Sequence, residues 1–202
     1  SSQDRVAMRL ERPSRPDAKL EAGDNTLIVE IGTGTSLHIQ YASETYLQEF
    51  EKAQSVHYYA VDWMADRIEG GENNARALHT DAARERIHHL ALDGRRLPFQ
   101  NASVTEVIME NVLGGGTSVS DGLIEEAARV LKQGGLLKIV DYYTPWMADG
   151  PMQYMRSYPG AFAPIAESEA KPPIDETSLN ERIRGSSTYQ RTKGFIEYFR
   201  RV

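Results

Sequence analysis

The sequence predicts an α/β fold, a three-layer α/β/α sandwich around a mostly parallel sheet of six or seven strands. Five apolar segments alternate with segments of helical periodicity, and an acidic residue lies at the end of four of the apolar segments. Such alternation is typical of parallel sheets with right-handed crossovers and helices on both faces. Ligands of these sheets bind beyond the carboxyl ends of the strands, which is where the four acids fall.

The elements follow in a regular order after a 25-residue N-terminal arm that has no sustained periodicity. We expect one helix to break near Gly70 and Gly71, and another to end at Gly134 and Gly135. The predicted strands cover residues 26–31, 56–61, 87–92, 104–109 and 136–140, and the predicted helices cover 37–53, 66–86 and 123–132.

The composition predicts one domain with a hydrophobic core. The 202 residues are 40% hydrophobic and 26% charged, and we divide them into an arm (1–25), a core (26–145) and a C-terminal part (146–202). The net charge of −6 disfavours nucleic acid as a partner. No apolar run approaches the ~20 residues that span a bilayer, so we expect a cytoplasmic protein. The absence of cysteine excludes thiolate metal sites and cysteine nucleophiles.

The most informative segment is TLIVEIGTGTS over residues 26–36. Its apolar residues predict a strand buried on both faces, interrupted by Glu30. Gly32 and Gly34 allow the backbone to turn tightly and to approach a ligand where a Cβ atom would collide. This pattern fits a nucleoside site, but it also fits a strand-to-helix turn without a ligand.

Four elements, taken in order, resemble the class I S-adenosylmethionine-dependent methyltransferases, in particular the small-molecule type (methyltransferase type 11-like). VEIGTGTS resembles the first motif of that family, with Ser36 where a third glycine is usual. AVDW resembles the second motif, LALDGRRLPF the third, and EEAARVLKQGGLLKIVD the helix-to-strand passage. The resemblance covers about residues 26–145 and implies a Rossmann-like fold, S-adenosyl-L-methionine as cofactor and a small-molecule methyl acceptor.

The resemblance also implies roles for the residues that end the second and third strands. Asp62 would hold the ribose hydroxyls, and Trp63 would stack on adenine. Asp93 would accept from the adenine amino group, while the Gly94 N–H would donate to the ring nitrogen. The chemistry agrees, because two hydroxyl donors suit a carboxylate. Each acid could instead cap the following helix, and Trp63 could simply pack at a helix start.

The first and fourth strands supply the remaining candidate cofactor residues. Glu30 would act through the turn or on the ammonium group of the methionine part, or it is a buried acid satisfied by backbone N–H groups. Asn111 follows the fourth strand, where the family lines the methyl-transfer site. The turn itself contributes Gly32, Thr33, Gly34 and Ser36.

Other nucleotide-binding patterns fit the sequence less well. A dinucleotide fingerprint needs a small residue where Leu37 stands, and Asp62 lies 30 residues after Gly32, whereas that fingerprint spaces its acid by roughly 20. No G-K-[ST] follows the turn, which excludes a P-loop. The segment ENVL departs from the NPPY-type motif of amine-directed methylases. A non-catalytic adenosyl-ligand-binding or scaffold protein on the same fold stays the alternative.

The sequence leaves the catalytic residue unassigned. Methyl transfer needs alignment and desolvation more than a dedicated base. No group of residues has metal-ligand spacing, so we expect a metal-independent enzyme. His57 and His79 look isolated, and His88 and His89 are expected to be packing and surface residues. Candidate bases without a convincing signature are His38, Glu110, Asp141, Tyr142 and Tyr143.

The C-terminal part leaves several alternatives open. Gly194 and Phe195 resemble the start of the family's sixth strand, which would leave no chain for a seventh. Residues 188–192 and 195–199 could instead form a hairpin that supplies both strands, and we favour this hairpin. The Met-rich and aromatic linker 144–186 could line an apolar pocket or pack as a helix on the sheet. The short arm predicts either an open site or a lid from another subunit of a homo-oligomer.

Overall fold

The computed structural model describes residues 22–32, 44–78, 80–113, 117–142, 155, 158–191 and 194–202. Within these ranges a seven-stranded sheet has the order β3-β2-β1-β4-β5-β7-β6. The strands are β1 (Thr26–Ile31), β2 (Val56–Asp62), β3 (Ile87–Ala91), β4 (Val104–Glu110), β5 (Leu131–Tyr142), β6 (Phe162–Ile165) and β7 (Gly194–Arg201). The predicted sandwich with a mostly parallel sheet is therefore confirmed.

Helices pack on both faces of the sheet. One buried cluster joins β1 and β4 to the helix that precedes β5, and the other joins β1 and β2 to helices on the opposite face. Strand alternation separates the two clusters, because successive side chains of a strand point to opposite faces. The helices are α1 (Glu44–Lys52), α2 (Ala65–Leu78), α3 (Asp81–Arg84), α4 (Thr117–Val130), α5 (Thr177–Gly185) and α6 (Ser187–Arg191).

The first five strands are parallel, and β7 runs antiparallel between β5 and β6. The favoured hairpin is wrong, because residues 187–191 form helix α6 and the partner of β7 on that side is β6, from the linker. The alternative without a seventh strand is wrong as well.

Tyr189 of α6 packs so closely on Gly194 that a Cβ atom there would lie 2.4 Å from the Tyr189 ring. This contact places α6 beside the start of β7.

Two helix boundaries also differ from the prediction. Helix α2 continues through Gly70 and Gly71 and ends at Leu78, because packing on the sheet outweighs the cost of about 1 kcal/mol per glycine. Thr80 is the N-cap of the next helix, α3, and its Oγ1 accepts a hydrogen bond from the N–H of Ala83.

Helix α4 ends at Val130, and β5 begins directly with Leu131. The pairing of β4 with β5 shifts register there, from Val104 opposite Leu131 to Glu106 opposite Leu136. Gly134, which has a φ of 78°, lies within the extra residues of this irregular segment. The glycine pair therefore lies inside the strand and does not end the helix.

A network of buried ionisable side chains lies on the face of the sheet that carries α5. Lys138 Nζ lies 3.4 Å from Glu176 Oε1 and donates to Asn180 Oδ1 at 2.6 Å, and Tyr198 donates to Glu176. Glu106 and Lys138 are both fully buried. Burial raises the pKa of Glu106 well above its ordinary value, the Glu176 charge raises it further, and Lys138 opposes them. The folded chain thus favours a protonated Glu106.

The raised pKa of Glu106 predicts a pH-dependent stability. A group whose pKa is higher in the folded state stabilises the fold below its unfolded pKa, and this contribution is lost as the pH rises through the folded pKa. In the wild type, the free energy of unfolding should therefore decrease as the pH rises above 4.5. In Glu106→Gln this decrease should be smaller, so that at pH 8 the variant is more stable than the wild type by about 1 kcal/mol or more.

Urea unfolding at a series of pH values, followed by circular dichroism, measures this difference. Glu181→Gln is the matched control, because Glu181 is exposed on α5. A slope that is equally steep in wild type and Glu106→Gln would contradict the assignment.

Candidate functional site

A cavity of about 110 Å³ lies beyond the carboxyl ends of β1 to β4. Each of these strands contributes its last residues or the residues that follow it, and α2 and α4 complete the wall. Six of the predicted site residues line this cavity, namely Gly32, Asp62, Trp63, Asp93, Gly94 and Asn111. The other lining residues are Ile31, Val61, Arg67, Leu92, Arg95, Val112 and Leu123.

Gly32 lies where β1 turns away from the sheet. Its N–H donates to Val61 O at 2.8 Å, and its φ is 80°. A Cβ atom at this position would lie 2.0 Å from Val112 Cγ1, so both the backbone conformation and the space require glycine. Thr33, Gly34 and Ser36, the other predicted residues of the turn, lie outside the described residues.

Asp62 ends β2 and is 3% exposed. Its Oδ1 accepts a hydrogen bond from the N–H of Met64 at 2.9 Å, just before the start of helix α2. Asp62 therefore makes the helix-start contact that is the alternative to a ligand role, and this contact orients its carboxylate in the cavity wall. Trp63, the next residue, is half-buried in the same wall.

The segment after β3 brings Asp93, Gly94 and Arg95 into the cavity wall. Gly94 is buried, and its N–H has no hydrogen-bond partner in the part of the chain that the structure describes. A Cβ atom at Gly94 would lie 2.5 Å from Ile31 Cγ2 and 3.0 Å from Leu123 Cδ2. Glycine therefore lets the backbone N–H group lie close to β1 and α4.

Glu30 does not line the cavity, because its side chain lies on the opposite face of β1 from Ile31. It is fully buried, and its Oε1 accepts a hydrogen bond from the Tyr58 hydroxyl group. Burial raises the pKa of Tyr58, and the Glu30 charge raises it further. This geometry favours the reading of Glu30 as a buried acid, with a tyrosine hydroxyl as a donor.

Asn111 follows β4 with a φ of 55°, and its N–H donates to Val140 O. Of the candidate bases, Asp141 is buried and accepts the N–H of Leu113 at 3.3 Å, and Glu110 is half-buried at the end of β4. His38, His79 and Tyr143 lie outside the described residues. Neither Asp141 nor Glu110 lines the cavity.

His57 is not isolated, which corrects the sequence analysis. Its Nδ1 lies 2.9 Å from His88 Nε2, and the two ring planes are nearly parallel with centroids 5.2 Å apart. Burial lowers the pKa of both residues, which favours neutral rings joined by one N–H···N hydrogen bond. His88 also stacks on Tyr59 with centroids 4.5 Å apart. The pair packs on the sheet, and neither ring lines the cavity.

A wider depression of about 820 Å³ runs along the edge strand β3. None of the predicted site residues that the structure describes lies in it, and its described lining residues are Glu72, Asp81, Arg84, Glu85, Ile87, His88, His89 and Leu90. The described residues contain no group of three or more His, Asp or Glu side chains that could hold a metal ion. None of their helices is long and apolar enough to cross a membrane.

The fold is similar to solved structures at low sequence identity. A geranyl diphosphate C-methyltransferase from Streptomyces coelicolor A3(2), in complex with Mg²⁺, geranyl diphosphate and S-adenosyl-L-homocysteine, is 14% identical with a TM-score of 0.58, covering 100% of this chain and 80% of its own. An S-adenosylmethionine-dependent methyltransferase from Methanosarcina mazei is 15% identical with a TM-score of 0.51, covering 89% and 93%. The [4+2]-cyclase SpnF is 14% identical with a TM-score of 0.56, covering 99% and 80%.

The fold is the Rossmann-like fold of class I methyltransferases. The model of the Methyltransferase domain family matches residues 29–139, more than half of the chain, and the chain belongs to this family. No curated protein matches it in sequence. The protein is therefore an enzyme that uses S-adenosyl-L-methionine as its methyl donor, as the resemblance implied.

Gly32 provides a test of the cavity wall. Gly32→Ala and Gly134→Ala each place a side chain at a φ near 80°, which costs about 1 kcal/mol of stability. Only the Cβ at Gly32 overlaps Val112, because the space at Gly134 is open. Isothermal titration with S-adenosylhomocysteine should show binding weakened about tenfold or more by Gly32→Ala alone. Equal binding by the two variants would mean that this wall does not touch the ligand.

Proposed function

We propose that the enzyme transfers the methyl group of S-adenosyl-L-methionine to a small-molecule acceptor by in-line displacement, and that the cavity holds the adenosyl part of the donor. One observation carries the second half of this proposal. Asp62, Asp93 and the N–H of Gly94 come from different strand ends, yet they line the same cavity. Their chemistry matches the polar edges of adenosine.

The ribose side of the match rests on Asp62. A carboxylate can accept from both ribose hydroxyls, and such charge-assisted bonds are about twice as strong as neutral ones. The Met64 N–H occupies one lone pair of Asp62 Oδ1 and fixes the rotamer before a ligand arrives. The hydroxyls therefore meet a carboxylate that is already oriented.

The adenine side rests on the segment after β3. The Gly94 N–H, which has no hydrogen-bond partner among the described residues, is a donor for a ring nitrogen, and Asp93 is an acceptor for the exocyclic amine. Apolar side chains of Leu92, Val112 and Leu123 line the cavity beside these polar groups. Trp63 adds a flat surface, and stacking of a base on an aromatic ring contributes about 1 kcal/mol or more.

The bound donor supplies an electrophilic methyl group on a sulfonium. The chain's own contribution is then to orient the donor and to exclude water, because holding an acceptor at about 3 to 3.5 Å in line supplies much of the barrier reduction. Asn111, at the end of β4, lies in the cavity wall where we propose that the methionine part extends. The proposal assigns no general base.

The acceptor is proposed as a small molecule. The net charge of −6 gives no attraction to a nucleic acid backbone, and similar folds include methyltransferases of geranyl diphosphate. Metal independence and a cytoplasmic location stay predictions of the sequence. Turnover that persists in EDTA would support the former.

The non-catalytic alternative is separated by two measurements on the whole chain. Titrations with S-adenosylmethionine, S-adenosylhomocysteine and NAD test the site, and S-adenosylhomocysteine release with a panel of small-molecule acceptors tests turnover. We expect both adenosyl ligands to bind and NAD to bind weakly. Tight NAD binding, or no binding of either adenosyl ligand, would overturn the site assignment.

Asp62→Ala should weaken S-adenosylmethionine binding about 100-fold, because two hydrogen bonds to a charged acceptor are lost together. Thermal unfolding should remain cooperative. Asp24→Ala is the matched control, since Asp24 is exposed before β1. An unchanged affinity of Asp62→Ala in a folded protein would show that the ribose assignment is wrong.

A further inference from the structure

Arg95 is a buried cation in the wall of the proposed adenosyl site. Its side chain is 4% exposed, and its Nη2 lies 2.6 Å from Asp93 Oδ2. Its Nε lies 3.0 Å from Asp93 Oδ1 and 3.1 Å from Oδ2, and its backbone N–H donates to Oδ1 at 2.8 Å. The two residues are only two positions apart, so Arg95 wraps back onto the carboxylate that precedes it.

These contacts leave Asp93 little freedom as an acceptor. A carboxylate offers about four lone-pair sites, and the three N–H groups of Arg95 use about three of them. Asp93 accepts no other hydrogen bond from the residues that the structure describes. Since the carboxylate lines the cavity and is 14% exposed, the remaining site is available to a ligand. Because the Nε–H is shared between the two oxygens, the three N–H groups leave room for about one further hydrogen bond to this carboxylate.

Gly122 of α4 creates the space in which Arg95 lies. A Cβ atom at Gly122 would lie 2.8 Å from Arg95 Cδ and 3.1 Å from Cγ. Any larger residue would displace the arginine side chain from this place. Helix α4 therefore helps to position the guanidinium group because Gly122 has no side chain that would occupy this space.

We infer that Arg95 is a positioning residue for adenine recognition, which holds the Asp93 carboxylate so that one lone pair faces the exocyclic amine of the donor. This inference rests on the proposed adenosyl site. The ion pair also has no net charge, so the adenine edge meets a directed acceptor beside the Gly94 N–H without a surplus of negative charge. A neutral base with one amine donor and one ring acceptor matches that arrangement.

The test compares two ligands that differ only in the group that Asp93 contacts. One is S-adenosylhomocysteine, and the other is its purine analogue, in which hydrogen replaces the 6-amino group. Isothermal titration of the wild type should show the amino compound binding about tenfold more tightly, as expected for one hydrogen bond to a charged acceptor. In Arg95→Gln this preference should fall to about twofold or less, with the purine analogue nearly unaffected.

Gly122→Ala perturbs the same pair without removing a charge. It should also reduce the preference for the amino group, because the new methyl group displaces the Arg95 side chain. Gly185→Ala is its matched control, since Gly185 ends α5 with no atom within 4 Å of a Cβ. This second variant keeps the inference testable if Arg95→Gln does not fold.

The possible outcomes separate the inference from the function on which it rests. A wild type that binds neither compound would overturn the proposed adenosyl site itself. A wild type that binds both equally, or variants that bind but keep the full preference, would overturn the role of Arg95 while adenosyl binding stands. An equal loss of affinity for both compounds would mean that Arg95 acts only on the shape of the site.

Discussion

The cavity depends on one guanidinium that holds the loop between β3 and β4. Arg129 of α4 donates to Phe99 O at 2.8 Å and to Leu97 O at 3.1 Å, and it pairs with Glu126 on its own helix. Buried loop carbonyls need such partners, because a buried C=O group without a hydrogen bond destabilises the fold. Leu97 and Phe99 are fully buried in the core that α4 shares with β1 and β4. With these side chains anchored, the residues at the start of the loop have a fixed path along the cavity wall.

Because successive side chains of a strand point to opposite faces, the polar side chains of the sheet lie in two different environments. In β1, Ile31 lies in the cavity wall, while Glu30 points to the opposite face and binds the Tyr58 hydroxyl. That face also carries Lys138 and Glu106, so it holds ionisable groups that water does not reach. A buried charge is tolerated only when it is paired or neutralised, which explains the hydrogen-bonded partners and the raised pKa of Glu106. The carboxylates on one face of the sheet therefore lie within the fold, whereas Asp62 and Asp93 line the cavity in which we propose that the donor binds.

The sequence predicts most of the site because the relevant information is local. Each of the first four strands is an apolar run with an acid at or near its end, and parallel topology alone brings these ends together. The sequence does not predict contacts between distant residues: the four residues of β6 become a strand only through pairing with β7. The sequence also does not predict whether Glu30 faces the cavity or the opposite side of the sheet, because the turn after β1 can place the last residues of the strand on either side. Arg95 stands within the recognised LALDGRRLPF segment, but its role depends on the space at Gly122, which no local pattern indicates.

The proposed adenine contacts lie after β3, an edge strand of the sheet, and arginine side chains make contacts at both of its ends. Among the described strands, β3 pairs with β2 alone, and an edge strand has backbone hydrogen bonds on one side. At its start, Arg86 donates to Phe50 O at 2.8 Å and Val56 O at 2.9 Å, which ties the strand to the end of α1 and to β2. At its other end, Arg95 ties the chain back onto Asp93. The Arg86 hydrogen bonds thus add contacts between the start of β3 and its neighbouring elements, and the Arg95 contacts orient the Asp93 carboxylate after the strand ends. The precision of the proposed adenine contact therefore derives from side chains around β3 as much as from the sheet itself.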